Sequence, residues 1–342
     1  MQQEIKIIPI SAELYPAYYN MVQQTVWGNP MLPANYSNKL WGYVVFADDV
    51  IIGGWVGTLR GDIPIARIIT KSVYFDSYPI FFSEKYEREY QTILIDAIKQ
   101  HADQDNVVML NLTHWVRGEK LPLDINELGA SFITNLHTSE DDLWAKVESK
   151  QRNCIRKGEK SGVKIYSFQK EKALAYLKDF QNLRQRTQQH AIKNNAQASM
   201  LLKSDDFFHE VFINSDATLF VSKIEGQMAS AALMLQSGET VYYYSGGSDY
   251  ELNKKYSCSA LLLWKALLYY NGKGATIFDM GGVPVKPTRE HPAYGVYAFK
   301  RSFGGKYREF NGGKIIINRW KYKLLNFLLS QRKLLRLFST KL

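Results

Sequence analysis

The stretch TLFVSKIEGQMASAALMLQSGETVYYYS, residues 218–245, decides the fold. It holds three apolar, β-branched runs, 218–224, 228–236 and 240–245, cut by Glu225-Gly226 and Ser237-Gly238. Glycine at such a cut supplies the backbone freedom of a tight turn, so the three runs predict neighbouring antiparallel strands. A helical pattern follows over 259–270, then an apolar strand over 275–279. Strands, helix and a returning strand together make one α/β module.

Outward from this stretch, the first half carries the same order. Runs at 42–46, 50–59 and 65–75 are separated by Asp48-Asp49 and by Gly61-Asp62, the latter followed by Pro64. A helix is expected over 86–101, with Ile93, Leu94, Ala97 and Ile98 on one face, and a strand over 107–112. One pattern written twice predicts a duplicated module, and 342 residues suit two domains. The halves are expected to meet near 138–142, where Thr138-Ser139 supplies a hydroxyl cap and Glu140, Asp141 and Asp142 suit a helix start. Another helix is expected over 170–189. The expected division is a first domain over 1–140 and a second over 141–317, with a last helix, 318–342, returning to the first.

The formal charge of +10 favours anionic partners such as RNA, phosphorylated lipids or nucleotide-linked sugars. No run of about 18 uncharged apolar residues appears, so no membrane-spanning helix is expected. Met1 to Lys6 has no basic start leading into an apolar run, so no secretory leader is expected and the place is cytoplasmic. Cys154 and Cys258 form no metal-type pair and read as reduced thiols. His101, His114, His137, His190, His209 and His291 match no HxxH or HExxH pattern, so no metal is expected.

Three segments carry a family resemblance. The first runs through Leu143-Trp144, Lys150-Gln151-Arg152-Asn153 and Ile155-Arg156-Lys157 to Gly162-Val163. The second joins Tyr244-Ser245-Gly246-Gly247 through Leu261, Leu263 and Trp264 to Phe278-Asp279-Met280-Gly281-Gly282. The third is Tyr297-Ala298-Phe299-Lys300-Arg301-Ser302-Phe303-Gly304-Gly305. With these the chain resembles the Fem-type (FemABX) aminoacyl transferases of peptidoglycan bridge synthesis, within the GNAT-like superfamily. The resemblance implies two tandem GNAT-like α/β (α+β) domains, each a mixed, mostly antiparallel sheet flanked by helices. It implies no metal, no tightly bound cofactor, and amide formation with aminoacyl-tRNA as donor.

Amide formation needs a neutral amine held close, a stabilised oxyanion and a held donor. Lys300 is the first catalytic candidate, in an aromatic and glycine-rich segment where Gly304 and Gly305 let backbone approach a ligand. The resemblance puts the Phe299-Lys300 pair where the aminoacyl end of the tRNA docks, Phe299 stacking on a base and Lys300 neutralising negative charge. Arg301 adds a cation there; the plainer reading makes Phe299 and Phe303 core and Lys300 and Arg301 solvated. Arg152 and Arg156 lie four apart on one helix face and, with Lys157, suit adjacent phosphates; Glu148 and Glu159 offer them ordinary surface partners. Asp279, at a strand end, is the second catalytic candidate, to orient an amine or accept its proton, or else to cap the following turn. Tyr244 is the best placed of three consecutive tyrosines, beside Ser245. Lys39 matches a phosphate-binding lysine of the family.

Two absences shape the function. No Arg/Gln-x-x-Gly-x-Gly/Ala loop of the acetyl-CoA type precedes either helix, which argues against a standard CoA donor. The family's arginine three residues after a threonine is His190 here, after Thr187, which weakens the peptidoglycan acceptor. The leading reading is aminoacyl transfer from tRNA to an amine on a nucleotide- or lipid-linked envelope precursor. The alternative is a CoA-dependent N-acyltransferase acting on an amino sugar in polysaccharide synthesis, and the third is a non-catalytic binder of RNA or anionic lipid. From Arg319 to Leu342 the tail has seven basic residues and no acidic one, interleaved with Trp320, Leu324, Leu325, Phe327 and Leu328. That pattern suits peripheral contact with the inner face of the membrane, or packing on the first domain. The oligomeric state is not legible in the sequence.

Overall fold

Alternating apolar residues in the first hundred positions become an antiparallel sheet. In the computed structural model, which describes residues 4–33, 39–61, 67–112, 121–193 and 203–339, β1 (Ile5–Pro9) and α1 (Tyr15–Gln23) precede the hairpin of β2 (Leu40–Ala47) and β3 (Val50–Arg60). Asp48 turns that hairpin at φ +54°, a left-handed conformation that aspartate tolerates. Then come α2 (Arg67–Thr70), β4 (Ser72–Phe75), β5 (Ile80–Phe81), α3 (Glu84–Gln104) and β6 (Met109–Leu112). The strand expected over 65–75 is shorter. Gly61, at φ +72°, lies so close to the Thr70 carbonyl that a Cβ would stand 2.1 Å from it, and Thr70 Oγ1 donates to the Gly61 carbonyl at 2.6 Å. This closure folds Arg67–Thr70 into a helical turn despite its β-branched residues; the expected turn at Asp62 and Pro64 lies outside the described residues. Ser83 caps α3 by accepting from the Tyr86 N–H at 3.4 Å. β4 and β6 pair in parallel, joined across α3. Trp55 and Phe75 stack at 4.0 Å in the core beneath α3, with Leu94 and Ile98.

The second half repeats this order. β7 (Ile125–Asn135) leads to α4 (Glu140–Lys146), which Ser139 caps by accepting from the Asp142 N–H. Next are α5 (Ser149–Lys160), β8 (Lys164–Gln169), α6 (Lys170–Leu174), α7 (Leu177–Lys193) and α8 (Asp205–Asn214). The single helix expected over 170–189 is broken at Tyr176, whose ring stacks on Phe168 at 4.3 Å and so draws the backbone toward β8. Three long strands follow, β9 (Asp216–Ile224), β10 (Gln227–Ser237) and β11 (Thr240–Ser248), then α9 (Tyr250–Tyr256), α10 (Cys258–Gly272) and β12 (Ile277–Asp279). α10 buries residues around most of its circumference, Leu261, Leu263, Trp264 and Tyr270 among them, as its apolar sequence requires. Strand order is β7-β12-β11-β10-β9-β8, antiparallel except for the parallel pair β11 and β12 across α10. The chain ends in α11 (Tyr294–Arg301), β13 (Lys306–Ile316) and α12 (Arg319–Ser339).

The chain divides into two units. One comprises Met1–Thr25, Asn35–Leu128 and Asn311–Leu342; the other comprises Val26–Ala34 and Gly129–Phe310. In the first, β13 pairs with β6, and Lys321 of α12 donates to Asn106 Oδ1 at 3.1 Å. In the second, Val26 and Trp27 lie against β11, their carbonyls accepting from Thr240 Oγ1 and the Tyr242 hydroxyl. Each unit holds a mixed, mostly antiparallel sheet flanked by helices, which is the expected fold class.

Candidate active site

In the second unit, β11 and β12 stay paired only from Thr240–Ile277 to Tyr242–Asp279, and beyond that point they part. The opening at the carboxyl ends of two parallel strands is where ligands enter α/β sheets. Along β11 a bulge falls at the same level: Met234 of β10 pairs with Tyr243 and Leu233 with Ser245, leaving Tyr244 the extra residue. A bulge of this kind re-aims side chains next to a site. Tyr243 and Tyr244 accordingly serve different surroundings.

On the β12 side, Asp279 is buried, 2% exposed. Its Oδ1 accepts from Ser131 Oγ of β7 and from the Gly281 N–H at 2.8 Å. Ser131 Oγ also lies 3.1 Å from the Gly281 carbonyl. Gly281 takes φ +72°, and a Cβ there would stand 2.5 Å from the Tyr243 carbonyl, so only glycine fits without displacement. The chain then presents the Gly282 carbonyl to Lys300 Nζ at 3.1 Å. Lys300, near the end of α11, also sets its ammonium 5.1 Å from the centre of the Tyr243 ring.

The electrostatics follow from burial. Desolvation raises the Asp279 carboxyl above the usual carboxylate range, opposed by the bonds from Ser131 and Gly281 and by the charge of Lys300. Desolvation lowers Lys300 to about 8, opposed by Asp279. Burial alone pushes the Tyr243 phenol up to about 12, so it remains a neutral ring. A carboxyl and an amine whose proton affinities are drawn toward each other at a strand-end opening form an arrangement suited to acid–base or charge-stabilising work.

The two catalytic candidates thus hold one turn, Asp279 through the Gly281 N–H and Lys300 through the Gly282 carbonyl; the binding candidates scatter around them. Phe299 packs edge-on against Phe303 at 5.4 Å, half-buried on the core. Arg301 pairs with Glu148 at 3.0 Å. The Arg152 guanidinium reaches the Val147 carbonyl at 2.6 Å and the Trp144 and Ala145 carbonyls at 3.4 Å, so it closes the end of α4 rather than facing outward beside Arg156. Arg156 lies over the Trp144 ring at 5.3 Å and bonds Asn153. Lys157 donates to the Lys254 carbonyl at the end of α9. Tyr244 stacks toward Phe207 at 6.3 Å, and Ser245 Oγ accepts from Arg184 Nε at 2.8 Å, so of the three tyrosines it is Tyr243 that meets Lys300. Lys39 belongs to the first unit, exposed just before β2. Gly304 and Gly305 meet protein rather than open space: a Cβ at 304 would lie 2.4 Å from the Lys146 carbonyl, and one at 305 would lie 3.0 Å from Thr134 Oγ1.

Ser131, Tyr243 and the Gly282 carbonyl escaped the reading of the sequence. Ser131 is a hydroxyl among the apolar residues Ala130, Phe132 and Ile133 of β7, a weak signal that Thr134 shares; its partner lies 148 residues away. Among the described residues no group of His, Cys, Asp and Glu could hold a metal ion.

The FemAB family model matches residues 217–330, which include the opening, Asp279 and Lys300. The lipid II:glycine glycyltransferase of Staphylococcus epidermidis is 32% identical over 93 residues, 27% of this chain and 22% of that protein. The chain therefore spans less than a quarter of the length of this curated relative. Among solved structures, that of FemX superposes with a TM-score of 0.70 at 16% identity, over 93% of this chain and 99% of that one. A tandem GNAT protein from the clavulanic acid pathway gives a TM-score of 0.51 at 11% identity, over 92% and 99%. The resemblance to the Fem-type family and the GNAT-like fold are thereby shown.

Proposed function

We propose that the chain is an N-acyltransferase that moves an aminoacyl group from aminoacyl-tRNA to an amine of a lipid-linked cell-envelope precursor. The observation that carries this is the Lys300 ammonium held by the Gly282 carbonyl and over the Tyr243 ring, at the turn that Asp279 fixes where β12 ends. The reading draws further support from the named activity of the glycyltransferase relatives, which transfer glycine to lipid II.

In this reading the acceptor nitrogen attacks the ester carbonyl of the aminoacyl group. The carbonyl electrons move onto oxygen, and the Lys300 ammonium stands ready to neutralise that charge. On collapse the ester C–O bond breaks and the ribose hydroxyl leaves, taking up the proton that the amine gives off. Asp279 sustains the charge on Lys300 and, through the Gly281 N–H, holds the turn whose next carbonyl grips the ammonium. It acts as a positioning residue in this scheme. No tightly bound cofactor is required.

The site needs its acceptor brought to it, and α12 suits a membrane surface. Trp320, Leu324, Phe327 and Leu328 recur at helical spacing and are exposed, at 60%, 38%, 58% and 44%. Their helix carries only basic charges, a pattern for lying on anionic headgroups. No helix among the described residues is long and apolar enough to cross a membrane.

The test is amide formation by the purified chain from labelled aminoacyl-tRNA onto a lipid-linked disaccharide-peptide precursor. Transfer abolished by ribonuclease and by Lys300→Ala is the expected result. Transfer from acetyl-CoA without any RNA overturns the donor.

A further inference from the structure

Toward the other end of β12 from the opening, the second unit contains a cavity of about 540 Å³ that the scheme above leaves unused. Ile277 of β12 and Ile133 and Asn135 of β7 form its apolar and amide wall. Lys306 and Arg308 of β13 line it too. They are two apart on one strand, so they share a face about 6.7 Å apart. Lys146, at the end of α4, and His137 add further basic groups, and among the described residues no lining residue is a carboxylate. Glu239 is the acid at its margin, and it is taken up by Thr276 Oγ1 at 2.8 Å.

Two features show that the site is built rather than incidental. Gly304 lines the cavity at φ +81°, and its lack of a side chain lets the chain turn against the Lys146 carbonyl, which brings α4 and the start of β13 together. Other basic residues nearby in the chain are neutralised, Arg301 at the end of α11 by Glu148 and Lys314 on β13 by Glu127. Lys306 and Arg308 enter no ion pair among the described residues. Trp27 completes the wall. Its carbonyl accepts from the Tyr242 hydroxyl, which fixes the segment against the sheet.

Cations at phosphate spacing beside an indole, in a volume of this size, match a base and its phosphates. We infer that this cavity binds a nucleotide phosphate, with Trp27 stacking on the base and Lys306 and Arg308 holding phosphate oxygens. Two sources share this chemistry, the end of an RNA strand and a free nucleotide or nucleotide-linked sugar. The inference does not depend on the acyl-transfer reading, because it is tested by binding alone.

The probes are a short labelled single-stranded RNA, uridine monophosphate and inorganic phosphate, each titrated against the full chain. The double variant Lys306→Gln/Arg308→Gln is expected to weaken RNA binding and to lower its logarithmic salt slope by about 1.4, since each single-strand phosphate contact contributes about 0.7. Trp27→Ala is expected to lose about fivefold or more, the lower end of one base-stacking interaction, and Trp27→Phe to recover most of it. RNA that binds far more tightly than uridine monophosphate identifies a strand end, and equal binding of the two identifies a free nucleotide. Binding that the double variant leaves unchanged, absence of binding, or displacement by inorganic phosphate as effective as by uridine monophosphate overturns the inference.

Discussion

The Lys300 ammonium faces the Tyr243 ring at 5.1 Å, so the cation rests on the π-face of a residue from the strand beside its own carboxyl partner. A ring favours the charged form of the amine only weakly compared with water. Burial therefore wins, and Lys300 titrates at about 8 instead of 10.5.

Under the proposed acyl transfer, that value sets the pH dependence of the rate. Lys300 is charged below about 8 and neutral above it. If its charge stabilises the oxyanion, kcat/KM should fall as pH rises through about 8. In Lys300→Arg the guanidinium stays charged, so any remaining activity should lack this alkaline fall. Stability moves the opposite way. The unfolded chain binds the proton more tightly between about 8 and 10.5, so folding stability rises with pH in that window. Thermal melting of Lys300→Met should lose that rise.

Asp279 and Ser131 act on the same titration from behind. Asp279→Asn retains an oxygen to accept from the Gly281 N–H but removes the charge that supports Lys300. Its alkaline fall in rate should begin at lower pH than in the unaltered chain. Ser131→Ala takes one donor from a buried carboxyl, a loss of about 1–2 kcal/mol in urea unfolding. It should shift the rate profile in the same direction as Asp279→Asn, less far. A profile identical to that of the unaltered chain would remove Ser131 from the site.

Much of this is legible in the sequence. The strands at 218–245 declared themselves because β-branched runs were cut by glycine turns at the hairpin positions, Lys300 because it sat in an aromatic, glycine-rich segment that carries the family resemblance, and Asp279 because it ended a strand. Period and turn chemistry are local, and the eye can follow them along the chain. The pairing of Ser131 with Asp279, and of Tyr243 rather than Tyr244 with Lys300, depends on which strands become neighbours and on a single bulged residue. Arg152 misled for a related reason. Helical spacing showed that it shares a face with Arg156, but not that the end of α4 would supply carbonyls to occupy it.

The glycines at 281 and 282 should separate cleanly. Gly281→Ala forces a side chain into φ +72° and within 2.5 Å of the Tyr243 carbonyl, with an expected loss of about 1–3 kcal/mol. Gly282→Ala meets nothing within 4 Å and should alter stability by no more than about 0.5 kcal/mol. Parallel denaturation curves would show the difference directly, and equal losses would mean that the turn relaxes around Gly281.

Arg152→Ala should lower the melting temperature, because three carbonyls at the end of α4 lose their donor. The salt slope of RNA binding should be unchanged by it. A slope reduced by about 0.7 would instead return Arg152 to the phosphate role that its place in the sequence suggested.

The last helix provides a test of where the chain works. Phe327 and Leu328 are exposed on α12, so Phe327→Ser/Leu328→Ser should leave the melting temperature nearly unchanged while removing apolar area from the outward face. The unaltered chain is expected to sediment with vesicles rich in phosphatidylglycerol and to stay in solution with phosphatidylcholine vesicles, since the basic side chains of α12 add attraction only at an anionic surface. The double variant should stay in solution with both, because charge alone holds a helix weakly without buried apolar side chains. Sedimentation of the variant equal to that of the unaltered chain would show that α12 does not lie on the bilayer, and a lipid-linked acceptor would then have to reach the second unit by another surface.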